Sequence, residues 1–312
     1  MNTSSHTTTI QYKGSLGELF ALVIKNFIFT ICTLGVYFFW GLTHVRTYIW
    51  QHMYFGDDHF EYTGEGSDLF FGALKVLGIY LGVTFLVFMT SWIPLINLLL
   101  PAAVTVGVFI LTPVVIYLSR NYRLRNTRLR GYRLSMNKDI KSFVIYFCVD
   151  AFLLTITFGL YFPWFHNRVY GALTNRTLWG GQSFYYDGEV GDILHYYIFG
   201  FLLAPFTAGL SLFFFYGKIR EYRAKHMYFQ GKNFTLDVNG WDFALVGLCY
   251  ITIVPATLFI LEPVVRHYTI QYISSKLTYN DEVDWSTMSD VSSTTDALGE
   301  EFASFLDLDL GF

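Results

Sequence analysis

A block of about fifty residues recurs along this chain, and each copy carries its own apolar run of membrane length. The stretch Ile10-Gln11-Tyr12-Lys13-Gly14 through Glu18-Leu19-Phe20 lies over Phe60-Glu61-Tyr62-Thr63-Gly64 through Asp68-Leu69-Phe70 without a gap, at an offset of fifty. The segment from Phe184 to Leu194 matches the one from Phe234 to Ala244 at the same offset, and a weaker copy begins at Leu134. A period of this length means that one unit, unable to bury its apolar face alone, is stacked on copies of itself. About five copies fit the chain. A chemistry written only once is therefore not what the architecture is for.

Composition says which solvent the units face. Of 312 residues 53% are hydrophobic and only 14% charged, where soluble domains carry roughly 25% charged residues. One soluble core of this size cannot hide that much apolar surface. Cys32, Cys148 and Cys249 form no CxxC and no even set, so they read as packing residues and not as a disulfide framework. The first fifteen residues are polar and show no cleavable signal.

Six apolar stretches reach spanning length, at about 16–40, 69–90, 94–118, 142–164, 193–217 and 242–265. They are too long and continuous for barrel strands and read as helices. Each unit opens with an alternating segment such as Phe60-Glu61-Tyr62-Thr63-Gly64, which reads as a short strand. An acidic residue, Glu18, Asp68, Asp192 or Asp242, then starts the helix, where the dipole favours negative charge. The runs Leu34–Trp40 and Phe158–Trp164 read as aromatic exits at the membrane interface, followed by polar arms carrying Arg46 and Tyr48, Arg120 and Tyr122, or Arg220 and Tyr222. Twenty-four extra residues in the second unit make it a helical pair joined near Pro94.

Six single spans with the N-terminus outside place fourteen Lys and Arg residues in inner segments and five in outer ones. A rival arrangement makes each unit a re-entrant hairpin, with all strands and arms on the cytoplasmic side and the strands meeting in one sheet. The sequence favours six spans slightly. The expected fold is thus an all-α integral membrane protein of six helices (range six to ten), with short extramembrane strand and arm modules. The expected organisation is a disordered N-terminus at 1–9, membrane halves at 10–138 and 139–280, and an acidic disordered tail at 281–312. The matching Phe109–Val115 and Phe259–Val265 suggest halves of opposite sidedness, as in many secondary transporters.

The strand-Gly-x-Gly-x-acid-Leu-Phe opening, the Leu-Gly-x-Tyr-x-x-Trp exit and the basic arm Arg120–Gly131 together resemble the YjgN-like family, domain of unknown function 898. The resemblance covers roughly residues 10–280. It implies a bacterial, multi-pass inner-membrane protein and no established catalytic residue or substrate. The acidic tail and the divergent fifth unit depart from the family pattern.

Ionisable groups inside spans point to function. Lys25 and Lys75 occupy the same place in units one and two, Asp150 lies in the fourth span and Glu262 precedes Pro263 in the last. A Lys25–Asp150 or Lys75–Glu262 pair would line a polar path; the alternative is that the lysines snorkel to the headgroups. Arg120, Arg123, Arg125, Arg128, Arg130 and Arg133 form a polybasic arm suited to anionic headgroups or to fixing topology. His52 and His226 recur, but without metal-ligand spacing, so no metal or other cofactor is expected. No nucleophile–base constellation argues for an enzyme, and no fold argues for nucleic-acid binding. After Lys276 nine acidic residues follow without a base, and Ala297–Leu306 has helical apolar spacing suited to docking on a protein partner, the alternative being a solvated tail. The expected function is binding or movement of a small solute, ion or lipid within the helical bundle. The alternative is a non-transporting scaffold that organises envelope lipids or partner proteins.

Overall fold

The computed structural model of the chain describes residues 7–257 and 259–289. The expected tail helix at 297–306 lies outside these residues, as does most of the N-terminal segment.

The organising element is a closed antiparallel barrel of ten short strands, not an all-α bundle. Strands of five residues alternate with strands of three: β1 (Thr8–Tyr12), β2 (Met53–Phe55), β3 (Asp58–Tyr62), β4 (Thr127–Leu129), β5 (Tyr132–Met136), β6 (Thr177–Trp179), β7 (Gln182–Tyr186), β8 (Met227–Phe229), β9 (Lys232–Leu236) and β10 (Leu277–Tyr279). Neighbours in sequence are neighbours in the barrel, and β1 closes on β10 through Thr8↔Tyr279 and Thr9↔Thr278. Tight turns at Gly56, Arg130-Gly131, Gly180-Gly181 and Gln230-Gly231 join β2–β3, β4–β5, β6–β7 and β8–β9. These turns take left-handed backbone.

At the other end of the barrel each long strand feeds a helical hairpin that returns to the next short strand. The hairpins are α1 (Leu16–Cys32) with α2 (Phe38–Gln51), α3 (Gly66–Met89) with α4 (Pro94–Arg125), α5 (Ile140–Ile156) with α6 (Phe162–Thr174), and α7 (Val190–Leu203) with α8 (Leu210–Lys225). In the fifth, α9 (Gly240–Leu248) runs through a π-helical turn at Cys249–Ile253 into α10 (Val254–Ala256) and returns as α11 (Glu262–Lys276). The wide turn lies just ahead of Pro255, whose missing N–H cannot serve an α-helical ladder.

Because the strand pairs of a unit are antiparallel in register, as in Ile10↔Phe55 and Tyr12↔Met53, both ends of its hairpin lie at the same end of the barrel. All five hairpins therefore point one way. This corrects the six alternating spans and the opposed halves. Four of the runs that read as one span, 16–40, 142–164, 193–217 and 242–265, are instead helical hairpins, whereas 69–90 and 94–118 are the single helices α3 and α4 of one hairpin. The reason is local. Thr33, Thr157, Thr207 and Thr257 each donate to the carbonyl four residues back, at 2.7–2.9 Å. Each hydroxyl also accepts the N–H four residues ahead, from Tyr37, Tyr161, Ser211 and Leu261. One side chain thus serves the end of one helix and the start of the next. In the first, third and fourth hairpins a left-handed residue and a left-handed glycine complete the reversal: Leu34-Gly35, Phe158-Gly159 and Ala208-Gly209. The turn is itself apolar, so hydropathy alone does not reveal it. The aromatic runs after Gly35 and Gly159 lie at hairpin tips, at the start of the returning helices α2 and α6.

Two helices among the described residues are long and apolar enough to cross a membrane: α3, with 24 residues, and α4, with 32. By contrast α1 has 17 residues, or about 25 Å.

The barrel has no open lumen. Phe55, Leu129, Trp179, Phe229 and Tyr279, the last residues of the short strands, form one buried cluster, and Ile10, Phe60, Leu134, Phe184 and Phe234 pack into it. Phe55 on β2 stands 5.9 Å from Trp179 on β6, ring to ring. Strands that far apart in the barrel order meet only through its middle. The turn end is closed by residues 283–288, whose Val283, Trp285 and Met288 join the same cluster. Gln230 exchanges two hydrogen bonds with the Asp284 backbone, at 2.9 and 3.0 Å, and Ser289 N–H donates to the Gly180 carbonyl. This part of the acidic segment is thus a strap across the barrel.

Packing at the hairpin end of the barrel explains the Tyr-x-Gly ending of β1, β3 and β7. Tyr12, Tyr62 and Tyr186 fold back over Gly14, Gly64 and Gly188. A Cβ on Gly64 would stand 2.6 Å from the Tyr62 hydroxyl, and on Gly14 or Gly188 it would overlap the ring outright. Gly188→Ala is accordingly expected to cost about 1–3 kcal/mol, read as a lowered melting temperature in detergent. Gly191→Ala, whose Cβ meets nothing within 4 Å, is the control and is expected to leave it unchanged.

Candidate functional site: a tyrosine and arginine belt at the barrel mouth

The acidic residue that opens each unit is an anchor as well as a dipole partner. In four of the five hairpins a tyrosine on the returning helix donates to it: Tyr48 to Glu18 (2.9 Å), Tyr122 to Asp68 (3.3 Å), Tyr222 to Asp192 (2.7 Å), and Tyr272 to Asp242. Three of these hydroxyls also accept a backbone N–H ahead of the outgoing helix, from Ser15, Glu189 and Asn239. The clasp fixes the spacing of the two helices where they meet the barrel. In the α5–α6 hairpin Arg176 replaces the tyrosine, bonding Ser142 Oγ at 2.6 Å and lying 3.7 Å from Asp139.

Just beyond the clasps, α6, α7 and α8 enclose a polar cluster. Arg223 is 4% exposed. Its guanidinium stacks on the Tyr170 ring, 4.2 Å from the centroid, and reaches the ring and carbonyl of His166 at 3.5 and 3.4 Å. Since the guanidinium can only donate, His166 Nε2 accepts and Nδ1–H donates to Tyr197 OH at 2.8 Å. One turn earlier on α8, Arg220 bonds Tyr216 OH at 2.6 Å. Tyr170 meets Tyr186 edge-on at 5.0 Å, and Tyr186 OH donates to Asn167 at 2.7 Å. Burial raises the Tyr186 hydroxyl above its ordinary range against the pull of Arg223, so it stays a neutral phenol and not a counter-ion. Burial likewise pushes Tyr12 up to about 12, helped by Tyr48 and Glu18. The cluster extends toward the first two units, where Arg46 and Arg123 both bear on Tyr62.

The sequence candidates fall in several places. Lys25 and Lys75, each the tenth residue of its helix, occupy exposed positions on α1 and α3. Asp150, 1% exposed, is bound by Arg168 at 2.7 Å and by Tyr161 at 3.3 Å within its own hairpin. Glu262 pairs with Arg266 at 2.6 Å, one turn along α11. The basic arm is divided by the fold. Arg120, Arg123 and Arg125 end α4, whereas Arg128 and Arg133 face each other across β4 and β5 beside Glu61. Arg130 sits in the turn at the strap end, 3.7 Å from Asp58 and over the Trp285 ring. Among the described residues no group of three or more His, Cys, Asp or Glu is placed to hold a metal ion.

Sequence reasoning did not single out Arg223, His166, Tyr170, Tyr197 or Tyr216. A signal existed: Arg46, Arg120 and Arg220 share one position in their units, two residues before a clasp tyrosine. It reads as an arm leaving the membrane until the hairpin geometry turns it toward the barrel mouth.

A closed, filled barrel that carries a ring of apolar helical hairpins on one end defines the class of architecture: a hairpin-bearing β-barrel. The chain belongs to the family described as bacterial protein of unknown function (DUF898), whose profile matches residues 7–218. It is similar to inner membrane protein YjgN of Salmonella typhimurium, 34% identical over 77 residues, which are 25% of this chain and 20% of that one. It is also similar to YjgN of Escherichia coli O157:H7, 27% identical over 141 residues (45% and 33%), and of strain K12, 26% over 143 residues (46% and 34%). The matched part thus spans between a fifth and about a third of these relatives. No solved structure matches the chain. Membership and the relatives' names make this a membrane protein of the bacterial inner membrane.

Proposed function

We propose that the protein is a multi-pass inner-membrane scaffold that holds membrane lipid between its hairpins and passes no solute through its barrel. The carrying observation is that all five hairpins leave one end of a barrel filled by its own side chains. The hairpins present large apolar side chains outward, with Leu34 95%, Phe158 96%, Phe206 83% and Trp92 83% exposed. Such surface is costly in water and normal in hydrocarbon. The tip threonines satisfy the backbone where water is absent, as irregular backbone inside a bilayer requires. With the barrel on the cytoplasmic side, the strand-end Lys and Arg residues obey the positive-inside rule. No catalytic step is assigned to the protein.

Reconstitution tests this reading. Purified protein is expected to retain lipid through gel filtration in mild detergent, seen by native mass spectrometry. Vesicles containing it are expected to show the same ion and small-anion leakage as empty vesicles. Saturable flux that requires the protein would overturn the reading in favour of transport.

A further inference from the structure

The polar cluster between α6, α7 and α8 contains a buried cation, Arg223, to which no carboxylate among the described residues is paired. Among the described residues the partners of Arg223 are the His166 ring and carbonyl, the Tyr170 face and the Tyr197 hydroxyl, and that of Arg220 is the Tyr216 hydroxyl and ring. All are neutral. The two His166 contacts, at 3.4 and 3.5 Å, are long, since a guanidinium bound to an anion sits at about 2.7–2.9 Å. Arg223 Nε is buried and has no hydrogen-bond partner at all. The nearby carboxylate Glu221 is held by Lys218 and Lys225, each at 3.0 Å. A buried guanidinium left like this is expensive, and burial of charge is ordinarily compensated by an opposite charge.

We propose that Arg223 and Arg220 form the receptor for a phosphate-type oxyanion, with the hydroxyls of Tyr197 and Tyr216 as neutral donors. The two arginines stand three residues apart on α8 and so share one face. The vacant Nε with an adjacent Nη makes the planar fork that matches two oxygens of a phosphate, which lysine cannot present. The phenols leave the third and fourth oxygens with neutral donors and add no negative charge. A phosphodiester headgroup reaching in between the hairpins and a free phosphate ion have the same recognition chemistry. The site stands independently of whether the hairpins hold bulk lipid, because its test needs no membrane.

The test is isothermal titration of the full chain in non-ionic detergent with two probes: inorganic phosphate, and a short-chain phosphatidylglycerol below its micelle concentration. Saturable binding of at least one is expected. Arg223→Met and Arg220→Met are each expected to weaken it about tenfold or more, as loss of a charge-assisted bidentate contact does. Arg133→Gln, on the exposed face of β5, is expected to bind like the parent. Titration by the lipid alone assigns a headgroup, and titration by both assigns the ion. Arg223→Lys guards against misfolding: it keeps the cation, loses the fork, and is expected to bind several-fold more weakly. Failure of both probes to bind the parent chain, or unchanged affinity in folded Arg223→Met or Arg223→Lys, overturns the proposal.

Discussion

Cysteines placed at Asp57, Ser183 and Lys232 react with a membrane-impermeant maleimide from the same side of the membrane. This is the expected result when Cys32, Cys148 and Cys249 are first replaced by alanine. All three positions are exposed and lie at or beside the tight turns, at the end of the barrel opposite the hairpins. With the barrel cytoplasmic, they label fully in inverted vesicles and not in intact cells. A cysteine at Leu34, on a hairpin tip and 95% exposed, resists the same reagent because lipid surrounds it. The effect is all-or-none at each position. Alternating single spans require 57 and 183 to label from opposite faces, so that outcome would remove the hairpin arrangement and the proposed function with it.

The second large effect concerns Asp150 and Arg168. The carboxylate side chain is 2% exposed and the guanidinium 56%, so the two are not equivalent. Arg168→Met strands a buried carboxylate with only the Tyr161 hydroxyl, at 3.3 Å, to support it. The expected loss is about 3–5 kcal/mol. Asp150→Leu instead leaves a guanidinium on the outer flank of the hairpin, where its long stem reaches toward the headgroups. Its expected cost is smaller, about 2–3 kcal/mol. The double substitution Asp150→Leu with Arg168→Met removes both charges and is expected to recover most of the loss, since well-packed apolar replacements of a buried pair are often neutral. Melting temperatures of the four proteins in one detergent give the cycle. A double variant no more stable than Arg168→Met alone would mean that the pair is not the unit of stabilisation.

The two predictions mark the division between what was legible and what was not. The strand at the head of each unit was readable from the alternation in Phe60-Glu61-Tyr62, which is β3 in the barrel. The helical pair in the second unit was readable from its extra length, as α3 and α4. The hairpin tips were not. Thr33-Leu34-Gly35 and Thr157-Phe158-Gly159 turn the chain with one polar side chain among apolar ones, and a hydropathy window averages them away. The partner of Asp150 was hidden for a related reason: the hairpin turn brings back the arginine eighteen residues on. The phosphate-type site could not be found by motif, because Arg223, His166 and Tyr197 come from three helices whose meeting depends on closure of the barrel.

The sequence by itself determined that this chain lives with lipid, because the apolar residues exceed what any water-facing core could hide. It also determined that short strands head its units, because period-two patterning ending in Tyr-x-Gly is local. Only the tertiary structure decided that the strands close on one another. Ring closure depends on pairing between segments far apart in the chain, Thr8 with Tyr279 at the limit, and the antiparallel register of the strand pairs sends every hairpin to the same side. From that one fact follow the filled barrel, the strap across its far end, and the arginines gathered at its mouth.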